Sequence, residues 1–186
     1  SSRAGAANFF DGSPTLTALA ISECCDRVIR EDSRPALNAH ARGTPDAAFE
    51  RLVEATILMS GLAFENGGLS VAHAVLRGFS TLPALARSLH GEQVAVGLLI
   101  QLMTNPETHG TARELIAFFK GIGLPTTLED LGADAPAETL AGPISDHTFD
   151  TAPYVTNLAV PLDRDGLAKA IIAADRLARD HDTSEE

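Results

Sequence analysis

Apolar residues recur at three- and four-residue steps along most of the chain, which is the period of an amphipathic α-helix. The pattern predicts helices over 14–31, 44–64, 69–79, 91–103, 111–120 and 164–180, with shorter pieces after Pro83, over 127–131 and over 135–140. Residues 143–161 show no clear period and are expected to form mostly loop. No useful stretch alternates apolar and polar residues as a half-buried strand does. The sequence therefore predicts an all-α fold.

The predicted helices have recognisable ends. Ser13 and Thr44 are each followed by proline, which is typical of a capping residue and the first helical position. Asp163 is expected to cap the last helix. The glycines of 67–68 and of 121–123 interrupt the helical pattern, and the second group is followed by Pro125, a common arrangement just beyond a helix end. No fixed-period repeat occurs, which disfavours a solenoid.

The composition is that of an ordinary globular protein, with 186 residues, 45% hydrophobic and 21% charged. We expect one helical domain over 1–186, with an irregular segment at 1–12 and a disordered tail at 182–186.

The net charge of −11 repels phosphate backbones and anionic lipids, so nucleic acid and membrane surfaces are poor partners. No apolar run reaches bilayer length and no secretory signal pattern is present, so a cytoplasmic location is expected.

Two neighbouring cysteines, Cys24 and Cys25, fall within the first predicted helix. Adjacent helical side chains point in different directions, so a disulfide between them would be strained. No metal-ligand spacing or charged surroundings favour a reactive role. We therefore interpret both as reduced thiols in or near the core.

Candidate chemistry is concentrated between Ser60 and Gly97, where His73 and His90 lie beside small residues in otherwise apolar sequence. Imidazole is the commonest metal ligand and carries protons near neutral pH. The two histidines are 17 residues apart and belong to different predicted helices, so only folding can bring them together. Helical bundles do assemble metal sites in this way. On spacing alone, two unrelated core or surface histidines are the more common case than a metal-binding pair.

Longer motifs surround these histidines. The runs are GLAFENGGLSVAHAV, LHGEQVAVGLLIQL, GIGLPTTLEDLG and PLDRDGLAKAIIAADRLAR, in this order. Together they resemble the C-terminal helical domain of the glycerol dehydrogenase branch of the metal-dependent (iron-type) alcohol dehydrogenases. The resemblance extends over most of the chain and implies a multi-helix bundle of the dehydroquinate synthase-like type.

The resemblance implies that His73 and His90 ligate a catalytic divalent metal, usually zinc. It also implies that Phe64 and Leu76 line the substrate pocket. The family's third ligand is an aspartate in a GDA-type motif, for which this sequence has no counterpart. The family's α/β domain that binds NAD also has no counterpart here, so NAD is expected to need a separate domain. Family members commonly carry histidine at the position of Leu76, and this departure puts glycerol as the substrate in doubt.

The implied activity is oxidation of a polyol or secondary alcohol. A substrate hydroxyl at the open metal position ionises more easily, and hydride then passes from its carbon to NAD. The chain alone is expected to be inactive, because it lacks the NAD domain and one ligand. The alternative is a non-catalytic helical module that retains the fold and acts through oligomerisation or subunit association.

A third possibility is another substrate class of the same superfamily, such as a sugar phosphate. Anionic substrates require basic residues, and only Arg77 and Arg87 lie in the motif region. The first two hypotheses are therefore favoured, and a homo-oligomer is expected for either.

Overall fold

The computed structural model describes residues 7, 8 and 12–183, which contain helices and no strand. The predicted all-α fold is confirmed. Two compact units can be distinguished along the chain: unit 1 ends at Gly68 and unit 2 begins at Leu69. No helix among the described residues is both long enough and apolar enough to cross a lipid bilayer.

Unit 1 contains helices α1 (Leu16–Ala41), α2 (Ala47–Glu54) and α3 (Ser60–Gly67), and a π-helical segment (Ala55–Met59) joins α2 to α3. The observed caps, Thr15 and Asp46, each lie two residues after the predicted Ser13 and Thr44. The Thr15 hydroxyl accepts the Ala18 N–H at 3.1 Å, and Asp46 accepts the N–H groups of residues 48 and 49. The unit has a small buried core of Cys25, Val28 and Ala55.

Helix α1 is longer than its pattern predicts, since it continues through Pro35 to Ala41 instead of ending near Glu31. The extension is packed, because Ala36 and Ala39 are both buried. It is also tied by a side chain: the Arg51 guanidinium donates to both carboxylate oxygens of Asp32, at 2.7 and 2.8 Å. Packing here outweighs the hydrogen bond that a proline removes from a helix.

Unit 2 contains α4 (Val71–Phe79), α5 (His90–Met103), α6 (His109–Gly121), α7 (Ala137–Thr151) and α8 (Arg164–Thr183), with 3₁₀ turns at Leu85–Arg87, Pro106–Thr108 and Pro153–Thr156. One continuous apolar core joins the five helices. Its largest fully buried side chains are Val71, Val75, Phe79, Leu85, Leu99, Ile100, Ile116, Leu128, Ile144, Val155, Leu167 and Ile171.

Two predictions for unit 2 are wrong. Residues 127–131 form a turn, in which the Asp130 carboxylate accepts the N–H groups of Thr126 and Thr127. Of the loop expected over 143–161, residues 143–151 instead form the second half of α7 and Pro153–Thr156 a 3₁₀ turn, whereas 157–161 are non-helical as predicted. Gly142 precedes Pro143, and the absence of a Cβ removes part of the clash that normally keeps a pre-proline residue out of a helix. Ile144 and Thr148, both fully buried, anchor the continuation.

The expected terminal segments fall largely outside the described residues. Residues 1–6 and 9–11 of the irregular N-terminal segment are not described, nor are residues 184–186 of the tail. Helix α8 extends to Thr183, so it includes residues 182 and 183 of the expected tail. The Asp163 carboxylate accepts the Gly166 N–H at 2.7 Å, so Asp163 caps the start of α8 as predicted. The single-domain organisation stays a prediction.

Candidate metal site

The candidate site lies on α4 and α5, which pack against each other in unit 2. Two glycines allow α4 to approach its neighbours closely. A Cβ on Gly97 of α5 would collide with the carbonyl oxygen of Ala72 and lie 3.1 Å from Val75. On the other side of α4, a Cβ on Gly78 would collide with the Ile144 carbonyl of α7. The helix that carries His73 is therefore held between two neighbours at backbone contact.

Polar contacts hold the start of α4. The Ser70 hydroxyl donates to the carbonyl of Asn157 at 2.8 Å, and the Asn157 side chain donates to the carbonyl of Leu69 at 2.8 Å. The Ala72 N–H donates to Oε1 of Gln101, on α5, at 2.9 Å. Residues remote in sequence thus fix the first turn of α4, one residue before His73.

His90 is the first residue of α5. The Glu92 carboxylate accepts the Leu89 N–H at 2.8 Å, which caps this helix start. The Gln93 side chain donates to the carbonyls of Leu85 and Ser88, at 2.9 and 3.1 Å. The turn that leads into His90 is therefore held by side chains of α5 itself.

The structure brings the two predicted histidines together. Their ring centroids are 5.8 Å apart, and the ring planes are inclined by 46°. His73 is half-buried and His90 is exposed. Burial, and to a smaller extent the neighbouring His90, lowers the pKa of His73 below its ordinary value. Both effects favour the neutral imidazole, which is the form that binds a metal.

The spacing of the rings is compatible with one shared metal ion. With a zinc–nitrogen bond of about 2.0–2.1 Å and roughly 1.1 Å from that nitrogen to its ring centre, two rings on one zinc ion lie about 5.2 Å apart at a tetrahedral angle and at most about 6.4 Å apart. The observed 5.8 Å lies within this limit. Two neutral imidazoles are also a donor set that suits zinc. The residues present therefore fit a divalent transition metal.

A complete protein ligand set is not found in the described part of the chain. Among residues 7, 8 and 12–183, no group of three His, Cys, Asp or Glu side chains could together hold a metal ion. Leu76, assigned to the substrate pocket, lies one turn after His73 and packs partly buried against the core of unit 2. Phe64, the other predicted pocket residue, lies on α3 in unit 1 and is 43% exposed.

Three residues that shape the site were not found by sequence reasoning. Gln101 and Asn157 act through contacts between distant parts of the chain, which no local pattern encodes. Gly97 did leave a signal: a glycine within an otherwise apolar helix costs helix stability and commonly marks a close approach of backbone. The fold and the site together define an all-α bundle with a candidate metal site made by a pair of histidines.

Comparisons with known proteins show which proteins the chain resembles. No family model matches the chain. Glycerol dehydrogenase of Thermotoga maritima is 32% identical over 165 residues, 89% of this chain and 45% of that protein. Glycolaldehyde reductase of Halobacterium salinarum is 29% identical over 177 residues, 95% of this chain and 48% of that protein. The crystal structure of glycerol dehydrogenase from Schizosaccharomyces pombe matches with a TM-score of 0.89 at 30% identity, over 99% of this chain and 48% of that one.

Over most of its length the chain matches glycerol dehydrogenases of the metal-dependent (iron-type) alcohol dehydrogenase superfamily, as a counterpart of their C-terminal helical domain would. The resemblance inferred from the sequence motifs is thereby confirmed. The chain spans about half the length of the curated relatives it matches.

Proposed function

We propose that this chain is the metal-binding and substrate-binding half of an NAD-dependent glycerol, polyol or secondary alcohol dehydrogenase. A separate domain holds NAD. The main support is the pair of imidazoles on α4 and α5, whose ring centroids are 5.8 Å apart, in a chain that resembles this family. The relatives named for glycerol and glycolaldehyde favour a small hydroxylated substrate.

His73 and His90 are the proposed ligands of a divalent metal, for which zinc is the first candidate. A carboxylate from outside the described residues is the proposed third protein ligand. When bound, the cation supplies a Lewis acid that favours ionisation of the substrate hydroxyl, and NAD supplies the hydride acceptor. The half-buried His73 stays neutral and fixed by the first turn of α4. The exposed His90 leaves one side of the pair open to an incoming alcohol.

Leu76 and Phe64 are the proposed pocket residues. Leu76 follows His73 by one helical turn and presents an apolar group where a histidine is common in the family. An apolar side chain at this position favours a substrate with fewer hydroxyl groups than glycerol. The assignment of Phe64 rests on the family resemblance alone.

Zinc binding tests the ligand pair. Isothermal titration of the metal-free chain with Zn²⁺ should show a site that His73→Ala and His90→Ala each abolish. His147→Ala serves as the matched control, because His147 lies on α7 outside the pair. Unchanged zinc affinity in both ligand variants, or an equal loss in the control, would refute the proposal.

Complementation tests the enzyme. The chain is mixed with a separately expressed NAD-binding half of the family, together with NAD, Zn²⁺ and a polyol. Zinc-dependent formation of NADH that disappears with His73→Ala supports a dehydrogenase. A persistent absence of NADH, with a stable complex of the two halves, supports a module without catalysis.

A specific observation favours that second candidate, a helical module that acts by association. Unit 1 exposes several large apolar side chains, including Leu16 at 85%, Ile57 at 74% and Leu58 at 55%. Exposed apolar surface promotes association with another copy or another subunit. Light scattering of the purified chain, with Ile57→Ser and Leu58→Ser as variants, tests it: a monomer at all concentrations excludes self-association.

A further inference from the structure

One face of α5 carries three residues that bear on the candidate site. His90, Gly97 and Gln101 are separated by seven and four residues, so they lie on the same side of a helix with 3.6 residues per turn. Gly97 and Gln101 contact α4, and the His90 ring lies beside the His73 ring. The helix that supplies one histidine therefore also contacts the helix that supplies the other.

Both contacts fall on Ala72, the residue before His73. Its N–H donates to Oε1 of Gln101 at 2.9 Å. Its carbonyl oxygen lies against Gly97, in space that any Cβ would occupy. Because the two peptide units of Ala72 are thereby fixed against α5, the backbone that carries His73 has little freedom to shift along or away from that helix.

The residue at the usual capping position does not cap the first turn of α4. Ser70 occupies the N-cap position of α4, where a serine hydroxyl normally accepts an N–H from the first turn. Here that hydroxyl donates to the Asn157 carbonyl and makes no capping bond. The cap for the first turn of α4 is thus provided by a side chain of α5.

We infer that Gln101 is a positioning residue that sets the spacing of His73 and His90. This inference rests on the proposed function where it concerns metal. Its geometric content, that the Gln101–Ala72 hydrogen bond holds the two rings in proximity, is independent of any metal. Outer residues that orient ligands commonly change metal affinity by about 10- to 100-fold when mutated.

The test compares Gln101→Met, which keeps the length of the side chain but accepts no comparable hydrogen bond, with Gln101→Glu, which keeps an acceptor oxygen. In the metal-free chain, the nuclear Overhauser effect between the ring protons of His73 and His90 should weaken in Gln101→Met and persist in Gln101→Glu. Zinc affinity should fall about 10-fold in Gln101→Met and recover to within about 2-fold in Gln101→Glu.

Ser145→Ala controls for general destabilisation. Its hydroxyl is buried and ties α7 to the carbonyl of Arg164 at 2.7 Å, but it does not contact α4 or α5 in this way. The inference would be overturned if the nuclear Overhauser effect between the two histidine rings weakened equally in Ser145→Ala and Gln101→Met. It would also be overturned if that effect were unchanged in Gln101→Met. If the unmodified chain binds no zinc, the proposed function fails, and the metal-free ring measurement alone decides the role of Gln101.

Discussion

The two units differ in how they are stabilised. Unit 2 is built on one continuous apolar core that includes Phe79, Leu99 and Ile116, all essentially inaccessible to solvent. The core of unit 1 consists of small side chains, Cys25 and Ala55 among them. Among the residues that the structure describes, every exposed large apolar side chain except that of Leu89 belongs to unit 1.

The difference has a consequence for the candidate site. Burial of large apolar side chains stabilises by about 1.5–3 kcal/mol each, so the core of unit 2 stabilises the two helices that carry the histidines. Unit 1 buries few large apolar side chains, and the Arg51–Asp32 pair adds a partly exposed link between α1 and α2. Regions with few buried apolar contacts open at lower free energy than the rest of a protein.

The largest effect is expected at the crossing of α4 and α7. Gly78→Ala would place a Cβ in collision with the Ile144 carbonyl, 2.7 Å from Cγ2 of Ile144 and 2.8 Å from Oγ1 of Thr148. Overpacking of this kind outweighs the higher helix propensity of alanine, so the free energy of unfolding should fall by about 2 kcal/mol. Urea denaturation followed by circular dichroism measures this change in the free energy of unfolding.

Gly110→Ala is the matched control. Gly110 lies in the first turn of α6, and a Cβ there would meet nothing within 4 Å. Alanine should raise the free energy of unfolding by up to about 0.5 kcal/mol through helix propensity. Equal effects of the two substitutions would show that the α4–α7 crossing is looser than the structure indicates.

Most helices of both units could be predicted from the sequence, because amphipathic periodicity records which face of a helix is buried. The failures have local causes. Beyond residue 31 and again from residue 143 the apolar period is weak, yet packing continues a helix through Pro35 and through Pro143, and the turn at residues 127–131 has helical composition but is closed by the Asp130 carboxylate. Proline predicts a helix end only where no buried residues follow it at helical spacing.

The histidine pair shows a different limit. Spacing alone could not distinguish His73 and His90 from two unrelated histidines, and the family resemblance supplied their role. Their separation depends on Gly97 and Gln101, whose partners lie on α4. Contacts between distant segments of the chain leave little trace in local composition, so their function becomes visible only once the helices are packed.

A smaller effect is expected at the two cysteines of unit 1. The Cys25 thiol is buried and donates to the Ala55 carbonyl at 3.4 Å, and burial, with Asp26 as a lesser cause, raises its pKa. Cys24, next to it, is half-buried. Cys25 should react with a maleimide at least about 10-fold more slowly than Cys24, which corresponds to a local opening of about 1.4 kcal/mol.

Mass spectrometry of each labelled cysteine, with Cys24→Ser and Cys25→Ser as controls, gives the two rates. Slow labelling of Cys25 that accelerates in mild urea, before α4–α8 unfold, would show that unit 1 opens by itself. If Cys25 is labelled only when the whole chain unfolds, the contrast in stability between the units does not exist.

The smallest effect is expected at the Arg51–Asp32 pair, because Arg51 is half exposed and solvent screens the interaction. The hydrogen bonds from Arg51 hold the pKa of Asp32 below its ordinary value of about 3.9. A carboxylate whose pKa is lower in the folded state stabilises the fold above the unfolded pKa, and this contribution is lost as the pH falls through the folded pKa.

Asp32→Asn should therefore lower the melting temperature near pH 6 and have a diminishing effect below about pH 4. Asp26→Asn, which removes the same charge from the exposed Arg30 pair on α1, should have little effect at either pH. Thermal unfolding followed by circular dichroism compares the three proteins. A difference between Asp32→Asn and the unmodified chain that stays constant down to pH 2.5 would show that shape, and not the charge of Asp32, holds α1 to α2.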